Sequence, residues 1–236
     1  SGDGFAQSAV SDIVKPKRQI RAYQGAVSDR LTANWMSSQL SADAEIRGSL
    51  RKLRDRSREM VRNNPYAKQA KRTTQINVVG TGMKFQSLVT QVRGNKRDQR
   101  SNKAIEEAWA DWCRPENCDT AGRHSFHQFE WLATGALPES GEAIFRIVRK
   151  PFGSAGVPLA LQLIESDLLD EEYNGKVTSK NNEWRNGVEV DEWGRPTRYA
   201  ILTRHPGDAY YLNPTNAGKD HIFLPAKDVI HLFMPE

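Results

Sequence analysis

Apolar positions recur at helical spacing through the first half of the chain. From residue 43 onward they repeat every three or four residues, which predicts a helix that ends near Arg62. Its stripe consists of Leu50, Leu53, Ser57, Met60 and Val61. Asn64 followed by Pro65 predicts the start of a second helix, because Asn caps helix N-termini and the first helical position needs no N–H. This second helix is expected to end at the glycines of positions 80 and 82.

The next two segments have different periodicities. Residues 83–92 alternate between apolar and polar side chains, which predicts a strand. Residues 102–112 return to helical spacing, and their apolar stripe includes Trp109 and Trp112. We therefore expect a strand followed by a third helix.

A capping motif marks the last predicted helix, which follows a loop at residues 115–123. Ser125 with Gln128 three positions later is a capping-box pattern, in which each residue satisfies a free N–H of the other. The helix should begin there, and Pro138 is expected to end or kink it, because proline cannot donate a helical hydrogen bond.

Short strand-like runs separated by turn residues fill the rest of the chain. The predicted strands are residues 143–148, 159–164, 187–190, 197–202, 221–224 and 229–233. Residues 188–201 have the pattern of a hairpin whose glycine takes a positive φ. Helices that precede strands indicate an α+β fold with a mainly antiparallel, β-rich second part rather than a doubly wound sheet.

This pattern divides the chain into three parts. Residues 1–42 have weak periodicity and are expected to form a partly ordered arm, with a short helix near residues 20–23. Residues 43–142 are predicted to be helical, and residues 143–236 to be β-rich.

Composition limits the classes of function. The net charge is +5, 27% of residues are charged and the mean hydropathy is −0.68. This composition suits a protein that faces polyanions, or a fragment that buries its apolar faces against other chains. No apolar run approaches the length of a membrane span, and two cysteines are too few for a disulfide framework, so we expect no membrane partner and a reducing compartment.

Basic residues concentrate between positions 47 and 72, where Asp55 and Glu59 are the only acids. The functional interpretation of such a cluster is contact with phosphates, but a solvated face, or a face that pairs with acids of a neighbouring chain, is the more common explanation. No aromatic residues interleave with the charges as a single-strand platform requires. The candidate residues for contact with nucleic acid or a neighbour are Arg47, Arg51, Arg54, Arg58, Arg62, Lys68, Lys71 and Arg72.

Cys113, Cys118, His124 and His127 contain the residue types of a zinc site. Only two residues separate the histidines, which is fewer than zinc sites normally have. The predicted helix start also directs the two imidazoles apart. We therefore expect no metal site and no cofactor.

Five acids in the second half have the chemistry of a two-metal nuclease: Glu139, Glu142, Glu165, Asp167 and Asp170. However, acids commonly end strands and cap turns, which is where most of these lie. The glycines at positions 80 and 82 lack the remainder of a phosphate loop, and no nucleophile motif is present. The sequence predicts no enzyme.

Several short segments follow one another in a characteristic order. They are Val61-Arg-Asn-Asn-Pro-Tyr-Ala67, Asn77-Val-Val-Gly80-Thr-Gly82, Trp109-Ala-Asp-Trp112-Cys113, Gly141-Glu-Ala-Ile-Phe145, Leu161-Gln-Leu-Ile-Glu-Ser-Asp167, Asn186-Gly-Val-Glu-Val-Asp-Glu-Trp-Gly-Arg-Pro196, His205-Pro-Gly-Asp208 and Val229-Ile-His-Leu-Phe233. This collinear set resembles the portal proteins of lambda-like tailed bacteriophages over about residues 45–235, and the order is more specific than any one motif.

The resemblance implies a structural protein of the virion, assembled in the cytoplasm of the bacterial host. Portal proteins form a ring of about twelve subunits at one capsid vertex, through which terminase drives double-stranded DNA and to which head-tail joining proteins attach. Capsid and scaffold proteins are further expected partners. This chain resembles the N-terminal, wing-side part, so the stem and clip are expected beyond residue 236.

Two features depart from the family, namely Pro138 and the group of cysteines and histidines, which is not a family requirement. Two alternatives stay open at this point, one based on the basic cluster and the other on the acids of the second half. One is a free-standing basic nucleic-acid-binding module, which would bind in a salt-sensitive way. The other is a metal-dependent nuclease, which would lose cleavage when Asp167 or Glu165 is replaced.

Overall fold

The computed structural model describes residues 30, 41–92, 94–177, 181–210 and 220–234, and residues 40–236 belong to one compact unit. The helix expected near residues 20–23 lies outside the described residues. The division of the compact unit near residue 143 into a helical and a β-rich segment stays a prediction.

The described residues form six α-helices before the first strand, in the order that the sequence predicts. The helices are α1 (Ala42–Ile46), α2 (Leu50–Asn63), α3 (Pro65–Val79), α4 (Gln99–Trp112), α5 (Pro115–Cys118) and α6 (Phe126–Ser140).

The two predicted capping motifs are confirmed. The side chain of Asn64 accepts hydrogen bonds from the backbone N–H groups of Tyr66, at 2.8 Å, and Ala67, at 3.3 Å. Ser125 and Gln128 form both bonds of the capping box at the start of α6. Short-range polar contacts therefore fix where α3 and α6 begin.

Three predictions in the helical region need correction, and one of the two alternatives for Pro138, an end of the helix, is excluded. The single helix expected from residue 43 is two helices, because Gly48 takes a φ of +81° between α1 and α2. The expected loop at residues 115–123 contains α5, and α6 continues past Pro138 to Ser140. Residues 83–92 are not a strand, since only Thr90 makes a β-bridge, to Arg97.

The second part of the chain contains two antiparallel sheets. Their strands are β1 (Glu142–Val148), β2 (Ala160–Ile164), β3 (Gly175–Lys176), β4 (Glu183–Arg185), β5 (Val188–Val190), β6 (Pro196–Leu202), β7 (His221–Pro225) and β8 (Val229–Phe233). One sheet has the order β2-β1-β8 and the other β3-β4-β5-β6-β7. The α+β class is confirmed, and each of the six predicted strands is present within about two residues. Among the strands in the described residues, only β3 and β4, of two and three residues, were not predicted.

The predicted hairpin is confirmed by the antiparallel pairing of β5 and β6. Gly194 takes a φ of +75° in its turn. The carboxylate of Asp191 accepts hydrogen bonds from the N–H groups of Trp193 and Arg195, each at 2.9 Å.

Strand β1 is buried on both of its faces. Ala143 and Phe145 pack with the aromatic side chains of α4 and α6, including Trp112 and Phe129. Ile144 points the other way and packs against Tyr199 and other apolar side chains of the five-stranded sheet. The three-stranded sheet thus lies between the helices and the second sheet, and the acidic residues at its ends lie next to α2.

Candidate functional site

The first component of the candidate site is a charged junction between α2 and the sheets. Arg54 of α2 is 95% buried, although it belongs to the basic cluster. Its guanidinium donates to Glu142, at the start of β1, and to Asp167, just after β2, each at 2.9 Å. Guanidinium–carboxylate hydrogen bonds of this kind are charge-assisted and strong. Arg54 therefore joins the helix to the open end of the β1–β2 hairpin, where β1 begins and β2 ends.

Arg58, one turn further along α2, extends this junction. Its guanidinium donates to Asp167 and, at 3.3 Å, to the hydroxyl of Ser140. Burial alone would raise the pKa of Asp167, but hydrogen bonds from Arg58, Arg54 and His205 outweigh burial and lower this pKa to about 2. Asp167 is thus held as a carboxylate.

Three histidines complete the junction by pairing with carboxylates. His231 of β8 lies 2.8 Å from Glu142 and His205 lies 3.2 Å from Asp167. His221 of β7 contacts Asp170 at 2.6 Å. Each contact joins a segment of the β-rich part to one of these acids.

Glu171 lies at the edge of the junction, 3.7 Å from Arg51. Burial raises its pKa, and the nearby Arg54 and Arg51 only partly oppose this effect. Glu171 therefore contrasts with Asp167, whose direct hydrogen bonds from two guanidiniums exceed the effect of burial.

The structure divides the eight candidate contact residues into two groups. Arg51, Arg54, Arg58 and Lys71 make ion pairs within the chain, Lys71 with Glu139 of α6. The other four are exposed and make no ion pair among the described residues; they are Arg47, Arg62, Lys68 and Arg72. Whether any of the eight contacts nucleic acid or a neighbour stays a prediction.

The sequence did not identify the acids as the partners of these arginines. The sequence suggests Glu142 and Asp167 as candidate residues of a nuclease. In the structure, both carboxylates accept hydrogen bonds from Arg54. The sequence does show an excess of arginine on one predicted helix and acids at the ends of predicted strands. This pattern suggests ion pairs between the two, but it does not indicate which arginine pairs with which acid.

The side chains of three of the four zinc candidates make polar contacts within the chain. His124 pairs with Asp119 at 3.1 Å, and His127 pairs with Glu130 at 2.9 Å. The thiol of Cys118 is buried and donates weak hydrogen bonds to the backbone carbonyls of Cys113 and His124. Its pKa is raised to about 11, and burial is the main cause. These contacts are those of structural side chains.

Among the described residues, one group has the spacing of a metal site, formed by Glu165, Asp167 and His205. Asp167 already accepts hydrogen bonds from Arg54 and Arg58, so a cation there would compete with two guanidiniums. The arrangement consequently favours a structural junction over two-metal chemistry.

A comparison with protein families agrees with the order of segments. The family model "Phage portal protein, lambda family" matches residues 28–236. A curated "Probable portal protein" from Halomonas phage phiHAP-1 is 35% identical over 238 residues, which cover 98% of this chain. The chain belongs to the lambda family of phage portal proteins.

This portal-family chain spans less than half the length of its curated relative, since the alignment covers 45% of the latter. None of the helices in the described residues has the length and hydropathy of a membrane span. Family membership identifies the chain as part of a structural protein of a phage and does not favour the free-standing nucleic-acid-binding module.

The charged junction connects the helices of this portal-family chain to its sheets. Arg54 and Arg58 connect the helices to the sheets by hydrogen bonds between oppositely charged groups that are largely shielded from water. Removing either partner of such a contact strongly destabilises the fold, because the other charge remains buried without a partner. The junction therefore fixes the relative placement of helices and sheets within one subunit.

Proposed function

We propose that the chain is the N-terminal, wing-side part of a portal subunit that assembles with copies of itself into a ring at one capsid vertex. About twelve subunits would form the ring, DNA would be packaged and ejected through it, and it would connect the head to the tail. The observation that carries this proposal is the family match over residues 28–236, together with the relative aligned over nearly the whole chain.

The surface of the chain supports assembly with other chains. Large apolar side chains are exposed on α2, on α3 and on residues 83–92, among them Met60, Tyr66, Met83 and Val92. Exposed apolar groups at this density are typical of surfaces that other subunits cover. The ring, with its stem and clip, would provide that cover.

The proposed mechanism is geometric and electrostatic, and it assigns no chemistry to this chain. Terminase would supply the energy for packaging, while capsid, scaffold and head-tail joining proteins would bind the ring. The exposed cations Arg47, Arg62, Lys68 and Arg72 would contact either DNA or a neighbouring subunit, since both present negative charge. Assembly would take place in the bacterial host's cytoplasm and end in the virion.

Electron microscopy of the full-length protein, combined with mass measurement, tests the proposal. We expect closed rings with a central channel and a mass of about twelve subunits. A full-length protein that stays monomeric at every concentration tested, without rings, would contradict the proposed function.

A further inference from the structure

Residues 83–89 run between α3 and α4 without helix, turn or bend, which is the pattern of an extended chain. Their alternating sequence predicts a strand, yet the described residues supply no partner strand beyond the single bridge at Thr90. A chain with strand-like sequence and strand-like path but no neighbouring strand is unusual, because its backbone groups are left to water.

One edge of this segment is bound by side chains of the body of the subunit at three N–H groups. The N–H of Met83 donates to Glu130 at 2.8 Å, that of Ser87 to Glu106 at 3.0 Å, and that of Val89 to Asn102 at 2.7 Å. The carbonyl of Val89 also accepts from Asn102 at 3.0 Å. All of these groups belong to odd-numbered residues, which point to the same edge of an extended chain. Along this edge, side chains of α4 and α6 therefore form the hydrogen bonds that a neighbouring strand would form.

The opposite edge is open. In an extended chain, successive backbone N–H groups point to opposite edges. The N–H groups of Lys84, Gln86 and Leu88 accordingly point away from the helices, and they make no hydrogen bond within the described part of the chain. They form a row of donors with the two-residue repeat of a sheet edge.

The side chains along this segment favour a protein partner over water. Met83, Leu88 and Val92 are between 59% and 103% exposed. Phe85 rests on Trp109 with 5.3 Å between ring centroids, which fixes the segment against α4. A rigid, apolar strand with a free edge is the surface that binds another strand by main-chain hydrogen bonds.

The charge of the chain indicates which surface this edge fits. Residues 43–142 contain 18 Lys and Arg against 13 Asp and Glu, whereas residues 143–236 contain 11 against 13. Lys84, Lys96 and Arg97 are exposed on and beside the segment. Arg51, Arg54 and Arg58 already pair with acids of residues 143–236 inside the chain, whereas Lys84, Lys96 and Arg97 make no ion pair among the described residues and remain available to an acidic surface. A contact between unlike surfaces of identical chains closes into a ring when the rotation allows it.

Strand β7 is the strand of the acidic part that suits this contact. Within the described residues it pairs only with β6, on one side. It follows the exposed Asp220, and its Ile222 is 47% exposed. We propose that the open edge at residues 84–90 of one subunit binds β7 of a second copy, so that the sheet continues from one subunit into the next.

This inference rests on the proposed ring, and a proline substitution tests it. Gln86→Pro removes one outward N–H, while Gln86→Ala keeps this N–H and removes only the side chain. In the full-length protein we expect Gln86→Ala to assemble like the wild type and Gln86→Pro to need at least about tenfold more protein for half-assembly. Sedimentation velocity and electron microscopy measure assembly, and thermal unfolding of each unassembled variant verifies that it folds.

Hydrogen exchange provides a second measurement that does not depend on a variant. The N–H groups of Lys84, Gln86 and Leu88 should exchange rapidly in the unassembled subunit and slowly in the ring, and residues of β7 should gain protection with them. The N–H groups of Ser87 and Val89 should be protected in both states, because Glu106 and Asn102 already bind them.

The outcomes separate the two proposals. If the wild-type protein forms no ring, the proposed function fails and this inference fails with it. If rings form but Gln86→Pro assembles like Gln86→Ala, only the inference is overturned. Protection of Lys84, Gln86 and Leu88 in the unassembled subunit would likewise overturn it, since the edge would be covered within the chain, and protection without any gain in β7 would overturn the choice of partner strand.

Discussion

Helices α2 and α3 are neighbours of similar basic composition, but they are attached to the subunit in different ways. Helix α2 buries the guanidinium of Arg54 between Glu142 and Asp167. Helix α3 has no buried residue, and its cations other than Lys71 make no ion pair among the described residues. The same residue types therefore stabilise the interior in one helix and remain at the surface in the other.

Apart from the ion pair of Lys71 with Glu139, α3 is attached to α6 by small and neutral groups. Gln75 donates to the backbone carbonyl of Trp131 in α6 at 2.8 Å. Gly135 of α6 allows this approach, because a Cβ there would lie 2.4 Å from the amide nitrogen of Gln75. The comparison of α2 with α3 shows that the number of basic residues on a helix does not indicate whether they are buried or exposed. The position of acidic partners in the fold determines this.

Replacing Arg54 should have the largest effect on this comparison. Arg54→Ala leaves Glu142 and Asp167 with one charged partner fewer in a site shielded from water, so we expect the free energy of unfolding to fall by about 3–5 kcal/mol. Arg56→Ala is the matched control, since Arg56 lies on the exposed side of the same helix, and it should change stability by no more than about 0.5 kcal/mol. Urea unfolding measures both, and equal effects would contradict the distinction between buried and exposed arginines.

The acid side of the junction gives a smaller effect that depends on pH. The pKa of Asp167 is about 2 in the folded chain against an ordinary value of 3.8. Because the folded-state pKa is the lower one, ionised Asp167 stabilises the fold above about pH 4, by about 2 kcal/mol, and this contribution is lost as pH falls towards 2.

Asp167→Asn tests this linkage through urea unfolding at pH values between 2 and 6. We expect the variant to be less stable than the wild type by about 2 kcal/mol at pH 6, and the difference to shrink as the pH falls below 4. Glu165→Gln, two positions earlier and largely exposed, should follow the wild-type curve. A constant difference at all pH values would show that Asp167 is not held ionised by its partners.

Local motifs made much of the fold predictable, whereas long-range contacts did not. Asn64-Pro65 and the Ser125–Gln128 capping box act within four residues, so the sequence identifies both helix starts. The burial of Arg54 depends on acids 88 and 113 positions away, and no local pattern encodes those pairings. Residues 83–92 show the limit of a local signal, because their alternation predicts a strand but cannot indicate whether a partner strand is present.

The smallest expected effect concerns α3. Lys71→Ala removes the ion pair with Glu139, in which each side chain is about a quarter exposed, and we expect a loss of about 0.5–1 kcal/mol in the free energy of unfolding. Lys68→Ala, at an exposed position three residues earlier on the same helix, should have almost no effect. Raising the salt concentration should reduce the difference between the two variants, because partly exposed pairs are screened. If Lys71→Ala instead matched Arg54→Ala in cost, α3 would be attached by charge as strongly as α2, and the contrast between the two helices would not hold.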